Sequence, residues 1–412
     1  MDIEAAPPKL FSPGYFSDPY PTLAGLREEG SLVPHPHLGG PMLFRHAEVR
    51  ALQRCPHLSK AMLRDGRMDG LSEEVKALVH ENNARRDDSM LNVDPPRHSR
   101  LRGQAMSAFT LARMEALRPR IQAIADGLLD ALEGQDEIDI IRDYAFPLPA
   151  TVIMELLGWP AEEREQLKRC TADAIEMLGS LRTSPDPLAL ARRAVASGKE
   201  LRGYAHTLIN ARREAPQDDF ISALVSVQMA EDGRLNEDEV LATSTLLLAA
   251  GHETTTNLIG NGLLALLRNP EQMEKLRADP SLAPSAVEEF LRYDPPVQML
   301  ARVASADFEL DGKIIAAGTR LTLMLGSANR DPAHFPDPDR FDITRTLNDY
   351  FAFGFDRHLC LGAHLARIEG QIAITTLLRR FRHIGLTGVP LAHFPNFVFR
   401  ALKALPVLVS RA

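Results

Sequence analysis

The chain has 412 residues, 45% of them hydrophobic, which is enough for a large buried core. A formal net charge of −8 excludes the basic face that a nucleic-acid binder needs. The 3 cysteines, Cys55, Cys170 and Cys360, stand far apart, which excludes a disulfide framework and any CxxC or zinc-type spacing and predicts a reducing compartment.

Met1–Pro8 is acidic and broken by proline. It has no apolar run of membrane-spanning or signal-peptide length, so the expectation is a cytoplasmic protein with no membrane segment. A short helix is predicted at Tyr20–Glu29, and a hairpin over Ser31–Phe44 around Gly39-Gly40. His46–Arg54 reads as a helix that stops at Pro56. Residues 57–92 form a long polar stretch with Met62, Leu63 and Met68 as isolated apolar points, and they read as a loop-rich binding lid. From Asp94 to Lys168 the spacing is helical, interrupted near Pro147 and Pro149. Within it, Asp94-Pro95-Pro96 reads as a helix start with Asp94 as the cap. His98 and Arg102, at i and i+4, share a face that suits a carboxylate partner or simply solvent.

Leu188–Arg213 is again helical. Asn236 and Glu239 then form a capping box for a run over Val240–Arg268, about 45 Å long at 1.5 Å per residue. A run this apolar on all sides crosses the middle of a molecule. It contains Ala250-Gly251-His252-Glu253-Thr254. A carboxylate beside a hydroxyl can relay protons, although a helical threonine often bonds its own i−4 carbonyl instead. After a helix at Pro284–Tyr293, in which Glu289 and Arg292 share a face, short strands with turns at Asp311-Gly312 and Ala317-Gly318 fill Val297–Leu325. A Pro-rich loop, Asp331–Arg345, leads to Phe353-Gly354-Phe355-Asp356-Arg357-His358-Leu359-Cys360-Leu361-Gly362 and a helix running to Phe381. Apolar runs at Leu386–Val389 and Leu405–Val409 close the chain. Cys360 sits between leucines just ahead of a helix, where backbone N–H groups and the helix dipole favour a thiolate. Such a sulfur against a flat group suits a haem iron, whereas a lone cysteine is otherwise an inert core residue.

The ten-residue segment resembles the cysteine-ligand loop of the cytochrome P-450 superfamily through Phe353, Gly354, His358, Cys360 and Gly362. Asp356 departs from it, because the family has glycine there; aspartate tolerates the positive φ that glycine would supply. Four further constellations match the family in order and spacing: Ala250–Thr254, Glu289 with Arg292, Asp94–Arg102, and Arg302. The resemblance implies a mainly α fold, a large helical domain with a long central helix plus a small β-rich region, as a single domain over residues 1–412 with no fused reductase. It implies haem b with Cys360 as metal ligand. Leu91, His98, Arg102, Ala250, Gly251, Arg302, Phe353, Gly354, His358 and Gly362 would touch the cofactor, and Glu253 and Thr254 would guide protons. Arg340 would complete a structural trio with Glu289 and Arg292. The substrate pocket would draw on Met62, Leu63, Leu246, Leu247, Val297, Met299, Leu300, Phe397 and Val398, and would take an apolar small molecule.

The activity implied is hydroxylation or epoxidation with O2 by a monomer. Electrons would come from a ferredoxin and an NAD(P)H-ferredoxin reductase, with docking near Arg97, Arg100, Arg113, Arg357 and Arg367. A peroxide-driven haem enzyme and a non-catalytic haem sensor are the alternatives. Neither needs the Glu253-Thr254 pair.

Overall fold

The central helix, Glu237–Arg268, organises the molecule; its 32 residues span about 48 Å. Asn236 and Glu239 form the expected capping box. The Asn236 side chain accepts the Glu239 N–H at 2.8 Å, and the Glu239 carboxylate accepts the Asn236 N–H at 3.1 Å. The structure is a computed structural model and describes residues 10, 12–35, 40–65, 70–86, 88–229, 235–346 and 349–411. Met1–Pro8, Gly39 and Met68 lie outside the described residues.

Helices Pro147–Leu157, Ala283–Tyr293 and Ala363–Arg380 pack around the central helix. One core cluster joins Leu258 and Leu263 to Leu148, Phe290, Ile368 and Leu377, all nearly without exposed surface. At Gly251 a Cβ would lie 2.6 Å from Ile153 of Pro147–Leu157. Only glycine lets these two backbones approach so closely.

Two expectations change here. Pro147 and Pro149 do not interrupt a helix; they open one, in a first turn where a missing N–H costs little. The irregularity is the π-helical turn Ile141–Ala145 just before them. The polar stretch 57–92 is also not mainly loop, because it holds the 14-residue helix Glu73–Arg86. Its single fully buried apolar side chain, Val75, packs against Leu190 and Ala191 of the long helix Pro187–Glu214. That tertiary contact supplies what the weak periodicity does not.

The strands, in chain order, are β1 (Val33–His35), β2 (Gly40–Leu43), β3 (Leu58–Ser59), β4 (Glu137–Asp139), β5 (Met299–Ala304), β6 (Phe308–Leu310), β7 (Lys313–Ile315), β8 (Arg320–Met324), β9 (Phe381–Leu386) and β10 (Pro406–Arg411). The larger sheet runs β1-β2-β8-β5-β3, with β2 parallel to β8 and the other pairs antiparallel. The smaller sheets are β4-β10-β9 and the hairpin β6-β7, which turns at Asp311-Gly312 as expected. Of the run Leu386–Val389 only Leu386 is in a strand, because β9 starts directly at the end of the final helix. Among the described residues, no helix is long and apolar enough to cross a membrane.

Candidate active site

The cysteine loop closes on itself before the final helix begins. Cys360 N–H donates to the Phe353 carbonyl at 2.9 Å. Gly354 turns the chain at φ +67°, and Asp356 does so again at φ +53°. Asp356 therefore takes the left-handed backbone that glycine otherwise supplies. Its carboxylate lies 3.2 Å from Arg357 Nε, which offsets the added charge. Gly362 caps the helix Ala363–Arg380. Surrounding protein atoms push the Cys360 thiol up, while the Gly362 N–H, Arg102 and Arg367 pull it down. The residue is nevertheless exposed by surface area. A cysteine crowded by protein atoms and still exposed as a residue is placed to line a recess.

An arginine and two histidines crowd beside that loop. His98 is 2% exposed, its ring 4.3 Å from that of His358, and its buried Nδ1 has no hydrogen-bond partner. Arg302, on β5, is buried and donates only to the Ala301 carbonyl at 2.8 Å. Burial lowers both His98 and Arg302; Arg102 and Arg357 lower His98 further, while Asp94 and Asp356 pull both groups part of the way back. His358 is pushed down to about 3 by burial, then by Arg302, His98 and Lys60. Among the described residues no carboxylate hydrogen-bonds His98, Arg302 or His358. A buried guanidinium and two imidazoles held towards their neutral form, gathered from a helix, a strand and a loop, offer N–H donors to an anion from outside the chain, whose charge would favour their protonation. The two propionates of a haem fit this set, with Arg102 beside it. The orphaned His98 Nδ1 and the open face of Cys360 are what such a group would satisfy. Leu91, 38% exposed between the buried Met90 and Val93 side chains, adds apolar surface to the region.

Three expectations nearby need correction. Asp94 does not cap the helix Arg97–Ala108; it accepts Ser59 Oγ at 2.5 Å and the Lys60 N–H at 2.9 Å, tying down the start of the lid. Arg97 and Arg100 turn to the Glu239 carboxylate, at 3.1 and 2.9 Å, because Glu239 is buried and needs cations. Arg113 pairs with Asp218 and Arg367 with Glu288, so these arginines are not a free docking array. The arginine completing the Glu289–Arg292 pair is Arg345, not Arg340. Arg292 Nε and Nη2 donate to Glu289 at 2.7 and 2.8 Å, and Arg345 Nε lies 3.5 Å from the same carboxylate. Arg340 is 66% exposed and contributes only its carbonyl.

The distal wall comes from the central helix. Leu246, Ala249, Ala250, Glu253 and Thr254 stay partly open, while Leu247, Leu248, His252 and Thr255 are buried. An open stripe at helical spacing, midway along a buried helix, is the wall of an internal space. Thr254 Oγ1 donates to the Ala250 carbonyl at 3.1 Å, the i−4 bond that a helical threonine often makes. Burial pushes the Glu253 carboxyl up against the pull of Lys168, so it holds its proton more readily than a free glutamate.

Several predicted pocket residues are core instead. Leu247 belongs to a packed cluster with Leu101 and Leu248. Met299 and Phe397 pack with Tyr15 and Leu23, and Val398 lies beside them. The alternation of β5 turns Met299 that way and sends Leu300 to the cysteine loop, 3.6 Å from where a Gly354 Cβ would sit. Val297 bridges to Phe399 beside them. Met62 is 41% exposed and Leu63 half-buried in the lid.

Sequence reasoning missed Glu369. It is buried on the final helix, bonded to Thr255, and pushed up to about 8 by burial. It stands four residues after Leu365 and three before Ile372, so helical spacing alone puts it on the apolar face.

Fold and recess together define a haem-binding oxidoreductase. The chain belongs to the cytochrome P450 family, whose model matches residues 51–401. It is 40% identical to the cytochrome P450 monooxygenase PikC of Streptomyces venezuelae over 98% of this chain and 95% of that one. It is 41% identical to a vitamin D(3) 25-hydroxylase of Pseudonocardia autotrophica over 97% and 96%. A myxobacterial cytochrome P450, CYP267B1, solved in complex with myristic acid, superposes with a TM-score of 0.88 at 39% identity, covering 99% of this chain and 100% of that one. The chain is therefore a haem-thiolate monooxygenase.

Proposed function

We propose that Cys360 is the thiolate that would hold the iron of haem b and that the enzyme hydroxylates or epoxidises an apolar small molecule. Electrons come from a separate ferredoxin and its NAD(P)H-dependent reductase, and residues 1–412 work as one unit in the cytoplasm. The observation that carries this reading is an exposed Cys360 beside the buried Arg302 and His98 and the half-buried His358, none of which is hydrogen-bonded by a carboxylate among the described residues. When bound, the haem supplies reductive activation of dioxygen, and thiolate donation favours O–O cleavage.

The chain's own residues set the conditions for that chemistry. His98, Arg102, Arg302 and His358 hold the propionates. Glu253, whose carboxyl burial pushes up against the pull of Lys168, is the proton donor of the distal wall. Thr254 relays that proton by exchanging its bond to the Ala250 carbonyl for one into the recess. Leu246, Ala250, Met62, Leu63 and Leu300 shed water and orient an apolar substrate. The names of the relatives above, with vitamin D(3) and myristic acid, support that substrate class.

The test supplies the haem-loaded protein with NAD(P)H, a surrogate ferredoxin and reductase, and matched apolar and charged compounds. Apolar members should shift the haem from low to high spin and yield oxygenated product. Thr254→Ala should keep the shift and divert reducing equivalents to peroxide or water. Tighter binding of the charged set overturns the apolar-pocket reading, and unchanged product per NAD(P)H in Thr254→Ala removes that residue from the mechanism.

A further inference from the structure

His252 precedes Glu253 on the central helix and plays no part in the distal wall described above. Its ring is fully buried and meets Phe146 edge to face, with centroids 5.8 Å apart. Nδ1 stands 2.9 Å from the Leu248 carbonyl. A carbonyl only accepts, so Nδ1 carries the ring proton. Burial pushes the imidazole down to about 4, so the ring takes no second proton at neutral pH. Nε2 is therefore a buried, bare lone pair. Two donors stand near it. Thr171 Oγ1, on the helix Arg164–Ser180, is 3.1 Å away. Glu253 Oε2 is 4.0 Å away, about one side-chain rotation short of a hydrogen bond.

We infer that His252 is a positioning residue for proton delivery: its Nε2 accepts a hydrogen bond from the protonated Glu253 carboxyl and holds that carboxyl off the recess, while the Thr171 hydroxyl competes for the same lone pair. This role rests on Glu253 being the proton donor proposed above. A bare imidazole nitrogen takes one such bond, so the two donors exclude each other. The Thr171 hydroxyl has a single proton and two other acceptors, the Leu167 and Lys168 carbonyls at 2.9 and 3.2 Å. It leaves Nε2 at little cost, because either carbonyl replaces the bond. Glu253 belongs to the open stripe of the central helix and His252 to its buried side. The carboxyl stands on the border between them. Turned back, it is held on Nε2; turned out, it faces the recess.

The surrounding charges leave this exchange to the two donors. Among the described residues, the charged group that acts on Glu253 is Lys168, from the same helix as Thr171, and burial outweighs its pull. Lys168 Nζ lies 4.5 Å over the Phe146 ring, on the aromatic side chain that also meets His252. No charged group adds to burial at His252 among the described residues. Only the protonated carboxyl can donate to Nε2, so being held there strengthens its grip on the proton. Thr171 frees the carboxyl by taking the lone pair, and Lys168 favours its charged form. One helix thus carries both groups that release Glu253 towards the recess.

The experiment follows the infrared C=O band of the protonated Glu253 carboxyl across pH in the haem-loaded protein, with the band assigned by its loss in Glu253→Gln. In the wild type it should titrate above the ordinary carboxylate range. His252→Phe keeps an aromatic ring but removes the acceptor, and should lower the midpoint by about half to one pH unit, the worth of one net hydrogen bond. Thr171→Val keeps the shape but removes the competitor, and should raise it. His252→Gln, which keeps an acceptor oxygen, should restore most of the wild-type midpoint, whereas a purely structural ring would be replaced better by Phe. Each variant should keep the ferrous–CO spectrum, which shows that it is folded. Should His252→Phe fail to bind haem, Thr171→Val decides alone. A midpoint unmoved in Thr171→Val, or moved the same way by Thr171→Val and His252→Phe, overturns the inference. Opposite shifts together with normal product per NAD(P)H in Glu253→Gln would keep the hold on the carboxyl and overturn its part in proton delivery.

Discussion

The cysteine side of the recess and its distal wall are built on different principles. The cysteine loop is held by its backbone: the Cys360-to-Phe353 hydrogen bond, two positive-φ turns, and a helix cap at Gly362. His98, Arg302 and His358 reach it from three separate elements. The distal wall is one helix face, and what it offers depends only on how the helix is rotated. Gly251 and Ile153 set that rotation by their close contact. The difference teaches that local backbone geometry decides the cysteine side, whereas packing elsewhere decides the wall. Substitutions on the two sides should fail in different ways.

The largest effect should come from the support beneath the loop. Glu289 is 3% exposed and satisfies Arg292, Arg345 and the Asp342 N–H together. Glu289→Gln leaves Arg292 buried without its counter-charge, a loss of about 3–5 kcal/mol. It should appear as haem-free or aggregated protein, measured by haem content and thermal unfolding. A soluble, fully haem-loaded variant of normal stability would show that the pair is not structural.

A smaller effect separates wall from core. Met299→Ala should cost about 2–5 kcal/mol of stability and leave the substrate spin shift intact, because Met299 packs with Tyr15 and Phe397. Leu246→Ala should do the reverse, changing which compounds shift the spin state with little loss of stability. If both variants alter the spin shift equally, the assignment of the open stripe as the wall is wrong.

The most gradual effect is a pH slope. Glu369 binds its proton up to about pH 8 in the folded protein but only to its ordinary range when unfolded. Its contribution is therefore complete below the ordinary carboxylate range and is lost as pH rises towards 8. The loss should run at up to about 1.4 kcal/mol per pH unit. Glu369→Gln should flatten the fall of melting temperature between pH 5 and 8. Parallel curves for the two proteins would mean that Glu369 ionises freely.

The same contrast explains what could be read in advance. The loop, the capping box at Asn236 and the pair Glu289–Arg292 depend on local spacing, and they stand where spacing put them. Arg345 was missed in favour of Arg340 because both follow the same Pro-rich stretch, and only the folded loop decides which side chain turns inward. Leu247, Met299 and Phe397 were assigned to the pocket because apolar residues look alike whether they face a core or a cavity. The helix Glu73–Arg86 was hidden because tertiary contacts with Pro187–Glu214 support it, not its own periodicity. Glu369, by contrast, was legible from its place between Leu365 and Ile372.

The central claim is that Cys360 alone supplies the thiolate. The direct measurement is the ferrous–CO spectrum of Cys360→Ser beside Cys55→Ser and Cys170→Ser. The account predicts that the red-shifted Soret band of thiolate ligation disappears in Cys360→Ser and persists in the other two. Persistence of that band in Cys360→Ser would contradict it.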